Sequence, residues 1–147
     1  MHRSNITVIG SGFAALTAVE AYRKRDPEAE ITVISPAAEF IYLPSLIWIP
    51  NRLRQPEDLR IPLDPFFQRQ RVHHHAAQVT GLKAGGRTVL TDHGEVENDG
   101  LIIASGGRFL KKLPGIEHAI TPCEGIDAAV AIRDRLEQME EGTIAIG

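Results

Sequence analysis

Apolar and polar positions follow two different periods in the first 35 residues. Asn5 to Ile9 is β-branched and almost continuously apolar, the pattern of a strand buried on both faces. From Ala15 onward the apolar positions Ala15, Leu16, Ala18, Val19 and Tyr22 recur at helical spacing. Arg23, Lys24 and Arg25 then place cations where a helix C-terminus favours them, and Asp26-Pro27 ends the helix because proline disfavours helical geometry in the residue before it. Ile31 to Ser35 repeats the buried-strand pattern. The result is a strand–helix–strand unit whose two strands are expected to lie parallel and adjacent.

Between residues 36 and 71 the periodicity stops. Pro36, Pro44, Pro50, Pro56, Pro62 and Pro65 are too closely spaced for a long regular element. Loops are predicted here, with a short turn near Ser45 to Ile49 and a short helix over Asp64 to Arg71. From Val72 the pattern predicts a β-meander: an extended run to Leu82, a turn at 83–86, a return over Arg87 to Thr91, a turn at 92–94 and a short strand over Glu95 to Glu97. Leu101 to Ala104 is of the buried-strand type. A helix over about Ile126 to Glu140 carries Ala129, Ile132, Leu136 and Met139 on one face, with Gly142 as its cap. The fold class is therefore α/β: a Rossmann-like domain with a parallel sheet and an inserted antiparallel β-meander.

Composition narrows the partners. A net charge of −3 gives no basis for binding nucleic acid or an anionic membrane surface. Cys123 is the only cysteine, so no disulfide forms within the chain, and no apolar signal core follows Met1. A reducing, cytoplasmic setting is the expectation. Phe40 to Ile49, the longest apolar stretch, is too short and too broken to span a bilayer.

Gly10-Ser11-Gly12-Phe13-Ala14-Ala15 directly follows the first strand and opens the first helix, which lifts GxGxxA above a chance match. Gly10 permits a tight turn, Gly12 lets the backbone approach a pyrophosphate, and Ala15 lets helix and strand pack closely. The first-turn amides of the helix then face the phosphates. A glycine-rich turn without a ligand is the plainer alternative, and strand, spacing and helix together favour the nucleotide. The acidic residue that usually receives the adenosine ribose is missing: Ser35 ends the second strand, with Glu39 beyond it. A serine hydroxyl can bond a ribose hydroxyl, more weakly than a carboxylate.

The remaining candidates have ordinary readings beside them. Cys123 could act as a thiolate near a redox group or could be an inert structural cysteine. In His73-His74-His75 strand alternation lets only His73 and His75 converge, and no further ligands lie at metal spacing, so a solvated strand is expected and no metal. Trp48 and Tyr42 could line a pocket or simply pack. Arg52 to Arg54 and Glu137 to Glu141 read as solvated faces.

Together these segments resemble the FAD-dependent pyridine nucleotide-disulfide oxidoreductases, and within them the sulfide:quinone oxidoreductase branch. The likeness covers nearly the whole chain. It rests on the GxGxxA turn, Ile31 to Ser35, the Phe40-x-x-x-Pro44-Ser45 segment with Trp48, and Asp99-Gly-Leu-Ile-Ile-Ala-Ser-Gly-Gly107, similar to a family return motif, with Ser105 in place of threonine and Gly100 breaking its tyrosine–aspartate pattern. Thr121-Pro-Cys123 ahead of a helix is similar to that branch's first redox cysteine. The resemblance implies FAD, with its pyrophosphate at Gly10, Gly12, Phe13, Ala14 and Ala15 and its adenosine near Ser35. It places Pro44 and Ser45 near the isoalloxazine, and the backbone of Ala104, Ser105 and Gly106 against the cofactor. It implies Cys123 as the catalytic residue, with electrons passing from a reduced sulfur donor to a quinone acceptor. A persulfide relay requires a second thiol, which this sequence lacks, and Asp127 lies where that branch has a histidine.

Residues 1–147 thus read as the N-terminal portion of an FAD-binding domain. Residues 143–147 read as the first strand of a second nucleotide-binding domain, so the fragment alone is expected to be inactive. An NADH-oxidising flavoenzyme of the type II NADH dehydrogenase or ferredoxin reductase kind, and a catalytically silent dinucleotide-binding module, remain as alternatives. Peripheral association of the intact protein with the inner membrane and homo-oligomerisation stay open.

Overall fold

The computed structural model describes residues 3–108 and 110–146. Backbone contacts divide the chain into two compact units, one of residues 1–40 and 62–107, the other of residues 41–61 and 108–147.

The first unit is built on a parallel sheet. Strand β1 (Asn5–Ile9) leads through helix α1 (Phe13–Arg25) to β2 (Glu30–Ser35), as the alternating periods require. Short strands β3 (Glu39–Ile41) and β4 (Arg60–Pro62) pair where the chain leaves this unit and returns to it. Helix α2 (Asp64–Gln70) then leads into β5 (Val72–Ala76). Three antiparallel strands follow, β6 (Val79–Lys83), β7 (Thr88–Thr91) and β8 (Gly94–Glu97), and the chain re-enters the main sheet as β9 (Gly100–Ile103). The order of the main sheet is β5-β2-β1-β9, every pair parallel.

Strand alternation gives that sheet two different faces. Ile6, Val8, Ile31 and Val33 pack with Ala15 and Val19 of α1 and Phe67 of α2. Ile9 and Ile34 face the other way, against Val89 of the meander and Ala77. Burial on both faces is why β1 and β2 are almost uninterrupted in apolar character.

The extended run expected over Val72 to Leu82 is two strands in two sheets. Ala77 makes the last backbone bond to β2, through Ser35 O at 3.3 Å. Gln78 N then donates to Asp92 Oδ1 at 2.8 Å while Asp92 N donates to Gln78 O at 3.1 Å, turning the chain into the meander. Nor is the histidine run simply solvated. His73 is exposed, but His74 stacks on Phe67 with ring centres 5.3 Å apart, and His75 Nε2 lies 3.1 Å from Thr91 Oγ1. Among the described residues no group of three metal-ligating side chains forms.

The second unit packs the proline-rich segment on helix α3 (Ile126–Glu137). Leu46, Ile49 and Leu59 are buried with Ile126 and Ala129. The loops expected here are largely 3-10 turns, at Leu43–Trp48 and Pro56–Leu59. Arg52 bonds Glu137 through Nε at 3.0 Å, so those two charged stretches are paired as well as exposed. Helix α3 stops about three residues early, where Glu137, Glu140 and Glu141 put negative charge at the end that the macrodipole makes unfavourable for it. Residues 143–146 lie outside any strand, with Ile144 and Ile146 exposed; Gly147, the last residue of that expected strand, lies outside the described residues. No helix among the described residues is long and apolar enough to cross a membrane.

Arg23 holds the C-terminal ends of both helices of the first unit. Its guanidinium donates to the carbonyls of Gln70, Pro27, Ala29 and Arg71 at 2.7–3.2 Å. Burial first, and the nearby charge of Arg71 second, press its pKa below the ordinary arginine value. Replacing Arg23 with Met keeps the aliphatic stem but removes the donor it gives to these carbonyls, of which Pro27 O keeps the Arg71 guanidinium. The expected cost is about 1–3 kcal/mol, read as a lowered urea midpoint with an unchanged m-value.

Candidate functional site

The sheet order fixes where a ligand can sit. From β1 the chain moves to β2 and β5 on one side, and β9 later lands on the other side of β1. The carboxyl ends of β1 and β9 are therefore neighbours at a topological switch point, the position at which open parallel sheets bind ligands. The glycine turn follows β1, and residues 104–107 follow β9. Gly10 and Ala104, more than ninety residues apart in the sequence, meet because of the topology.

Their contact is tight. Gly10 N donates to Ile34 O at 2.9 Å and Ala104 N donates to Ile9 O at 2.9 Å, so both ladders run to the rim of the site. Gly10 has φ +109°, and a Cβ there would lie 2.3 Å from Ala104 O. Gly10 is thus demanded by the protein itself. Gly12 is different: its φ of −83° suits any residue, and a Cβ there would meet nothing within 4 Å. Among the described residues no contact accounts for a glycine at this position. An open position of this kind leaves room for a ligand to approach the backbone.

The helix behind it is built to receive an anion. α1 runs for 13 residues, no side chain caps its N-terminus, no acidic residue lies in its first turn, and three cations occupy its last. Gly12, its N-cap, brings no side chain to the leading amides, and the macrodipole favours an anion there. Ala15 is fully buried at the helix–sheet contact, while Phe13 and Ala14 are exposed beside the turn. Phe13 sets its ring edge-on to Phe40, centres 4.7 Å apart. This set fits the pyrophosphate of a dinucleotide such as FAD.

Ser35 ends β2 as expected, but it is buried and its hydroxyl donates to Ala37 O at 2.8 Å. His74 Nε2 lies 3.0 Å from the same hydroxyl and 3.1 Å from Ser35 O. Strand alternation put His73 and His75 on one face. It equally put His74 alone on the face of α2, which is the signal that identifies it as a partner of β2. Ser105 and Gly106 are exposed after Ala104.

The other candidates belong to the second unit. Pro44 and Ser45 lie in the Leu43–Trp48 turn, and Cys123 lies in the Pro122–Glu124 turn packed beside it. Cys123 is exposed with a free thiol, and its amide is held by Thr121 Oγ1 at 3.3 Å. Tyr42 and Trp48 are exposed on the same segment.

A cleft of about 490 Å³ opens at the opposite, amino-terminal end of the strands, among Arg3, Asn5, Glu28, Glu30, Arg71 and His73. Its arginines already have partners. Arg3 and Arg71 face Glu28 at 3.6 and 3.9 Å, and Arg23 is spent on carbonyls. It lacks the uncapped helix start and the close backbone approach that mark the glycine turn.

The two glycines separate fold from binding. Gly10→Ala is expected to cost more than about 3 kcal/mol, through strain at positive φ and the clash with Ala104 O. Gly12→Ala is expected to stay within about 1 kcal/mol of the wild type. Urea unfolding of the ligand-free proteins measures both.

Known proteins share the sequence and the fold of this chain. An NADH dehydrogenase-like protein of Mycobacterium tuberculosis is 32% identical, over 96% of this chain and 36% of that protein. The sulfide-quinone reductase of Aquifex aeolicus is 25% identical over 97% of this chain and 34% of its own length. The solved structure of the sulfide:quinone oxidoreductase from Aquifex aeolicus superposes with a TM-score of 0.81 over 92% of this chain. The Plasmodium falciparum NDH2 structure in complex with NADH shares the fold at a TM-score of 0.74 and 18% identity, over 93% of this chain and 30% of its own. This chain spans about a third of the length of these relatives. The model of the pyridine nucleotide-disulphide oxidoreductase family matches residues 4–147, and the chain belongs to that family, whose members are FAD-binding flavoproteins.

Proposed function

We propose that this chain supplies the FAD-binding part of an oxidoreductase that takes electrons from a reduced sulfur donor and passes them to a quinone. The observation that carries the proposal is the meeting of the glycine turn with residues 104–106 at the switch point of the sheet. The likeness to the Aquifex aeolicus sulfide-quinone reductase, by sequence and by structure, supports the choice of donor and acceptor.

In this reading the amides of Gly12, Phe13 and Ala14 hold the pyrophosphate, and the Gly10–Ala104 contact fixes the turn. Ala15 seats the helix closely enough for those amides to reach. Ser35 and the backbone after it bear the adenosine end. Ser105 and Gly106 offer exposed backbone to the cofactor, and Pro44 and Ser45 lie near its ring system. Bound FAD supplies two-electron redox chemistry. Cys123 is the residue assigned to meet the sulfur donor: its thiol is exposed, and its turn is held by Thr121. Residues 143–147 are proposed to begin the second nucleotide-binding domain of the intact protein.

The 32% identity to the NADH dehydrogenase-like protein favours a second reading, an NADH-oxidising flavoenzyme. The two separate in one assay on the intact protein. The proposal expects sulfide-dependent quinone reduction that falls at least about tenfold in Cys123→Ser. Full turnover in that variant removes Cys123 from the chemistry, and quinone reduction driven by NADH but not sulfide supports the second reading.

A further inference from the structure

In βαβ units of this kind the carboxyl end of the second strand receives the adenosine ribose, ordinarily through a carboxylate. Here that end carries Ser35, whose hydroxyl gives its proton to Ala37 O at 2.8 Å. The serine side chain therefore points into the protein, and something other than a free side chain must present this surface to a ligand. Behind it stands His74. A carbonyl oxygen can only accept, so the 3.1 Å contact between His74 Nε2 and Ser35 O requires that Nε2 carry the proton. The same N–H is 3.0 Å from Ser35 Oγ, which keeps a lone pair for it after donating to Ala37. One donor thus holds both oxygens of Ser35, and the hydroxyl passes the constraint on to Ala37.

The imidazole is itself fixed. It stacks on Phe67 with ring centres 5.3 Å apart and planes 23° apart, and Phe67 is buried in the core shared by α1 and α2. The pairing of β5 with β2 brings His74 opposite Val33, two residues before Ser35 on the same face. A chain of contacts therefore runs from the helical core through Phe67 and His74 to the backbone at 35–37.

We infer that His74 is a positioning residue of the dinucleotide site: it acts through Ser35 to hold the backbone at residues 35–37, the surface on which the adenosine end rests, in place of the missing carboxylate. The inference deepens the FAD-binding reading and rests on it. It assigns the N–H of His74 the work, with the stacked ring as the means of aiming it.

Two substitutions in the full chain separate donor from ring. His74→Phe keeps the stacking surface and removes the N–H; His74→Gln returns an N–H at a similar reach and removes the ring. With FAD binding followed by flavin fluorescence, His74→Phe is expected to weaken affinity roughly five- to tenfold, the effect of one lost hydrogen bond, and His74→Gln to return within about threefold of wild type. Ligand-free unfolding midpoints of the two variants are expected to be alike, which a purely structural role would not give. Wild-type affinity in His74→Phe, or equal loss in both variants, overturns the inference and leaves the FAD-binding reading standing. A wild-type chain that takes up no FAD overturns that reading itself.

Discussion

The carbonyl of Ala104 sits where a side chain on Gly10 would be, 2.3 Å from the Cβ that glycine lacks. This close approach ties the loop after β1 to the loop after β9, and the candidate site exists because those loops touch. The constraint reaches backward into the sheet. β1 must pair with β2 on one edge and β9 on the other, and it can do so only as a central strand buried on both faces. It reaches forward into α1, since a turn held so firmly sets the axis along which the helix begins and hence where its first amides point.

Different glycines in one short motif therefore answer to different forces. Gly10 is fixed by positive φ and by a backbone neighbour, whereas Gly12 has an ordinary φ and open space around it. Ala15 is small because it is wedged between helix and sheet. Gly12 is exposed, at the start of the helix. A motif read as a unit joins a folding requirement to a binding requirement, and the structure divides them residue by residue.

The strand–helix–strand unit, the meander turns and α3 could be read from the chain because each rests on local causes: burial period, proline and glycine placement, and charge at helix ends. What could not be read depends on distant partners. Val72 to Leu82 looks continuous, yet it changes sheets at Gln78 because Asp92 bonds it there. The 3-10 turns between Leu43 and Leu59 form against α3, some 70 residues later. In the site, the glycine turn and residues 104–106 were evident as motifs, and their adjacency follows from the strand order. The inward turn of the Ser35 hydroxyl was hidden, since nothing local reveals that His74 stands behind it.

The central claim is that the N-terminus of α1 at Gly12, closed by the loop after β9, holds the pyrophosphate of FAD. An amide-resolved NMR titration of the chain with FAD tests it most directly. The largest shifts are expected on the amides of Gly12, Phe13 and Ala14, together with those of Ser105 and Gly106, saturating with a single affinity. Shifts concentrated at the opposite end of the strands, around Arg3, Glu30 and His73, with the glycine turn unmoved, would contradict it.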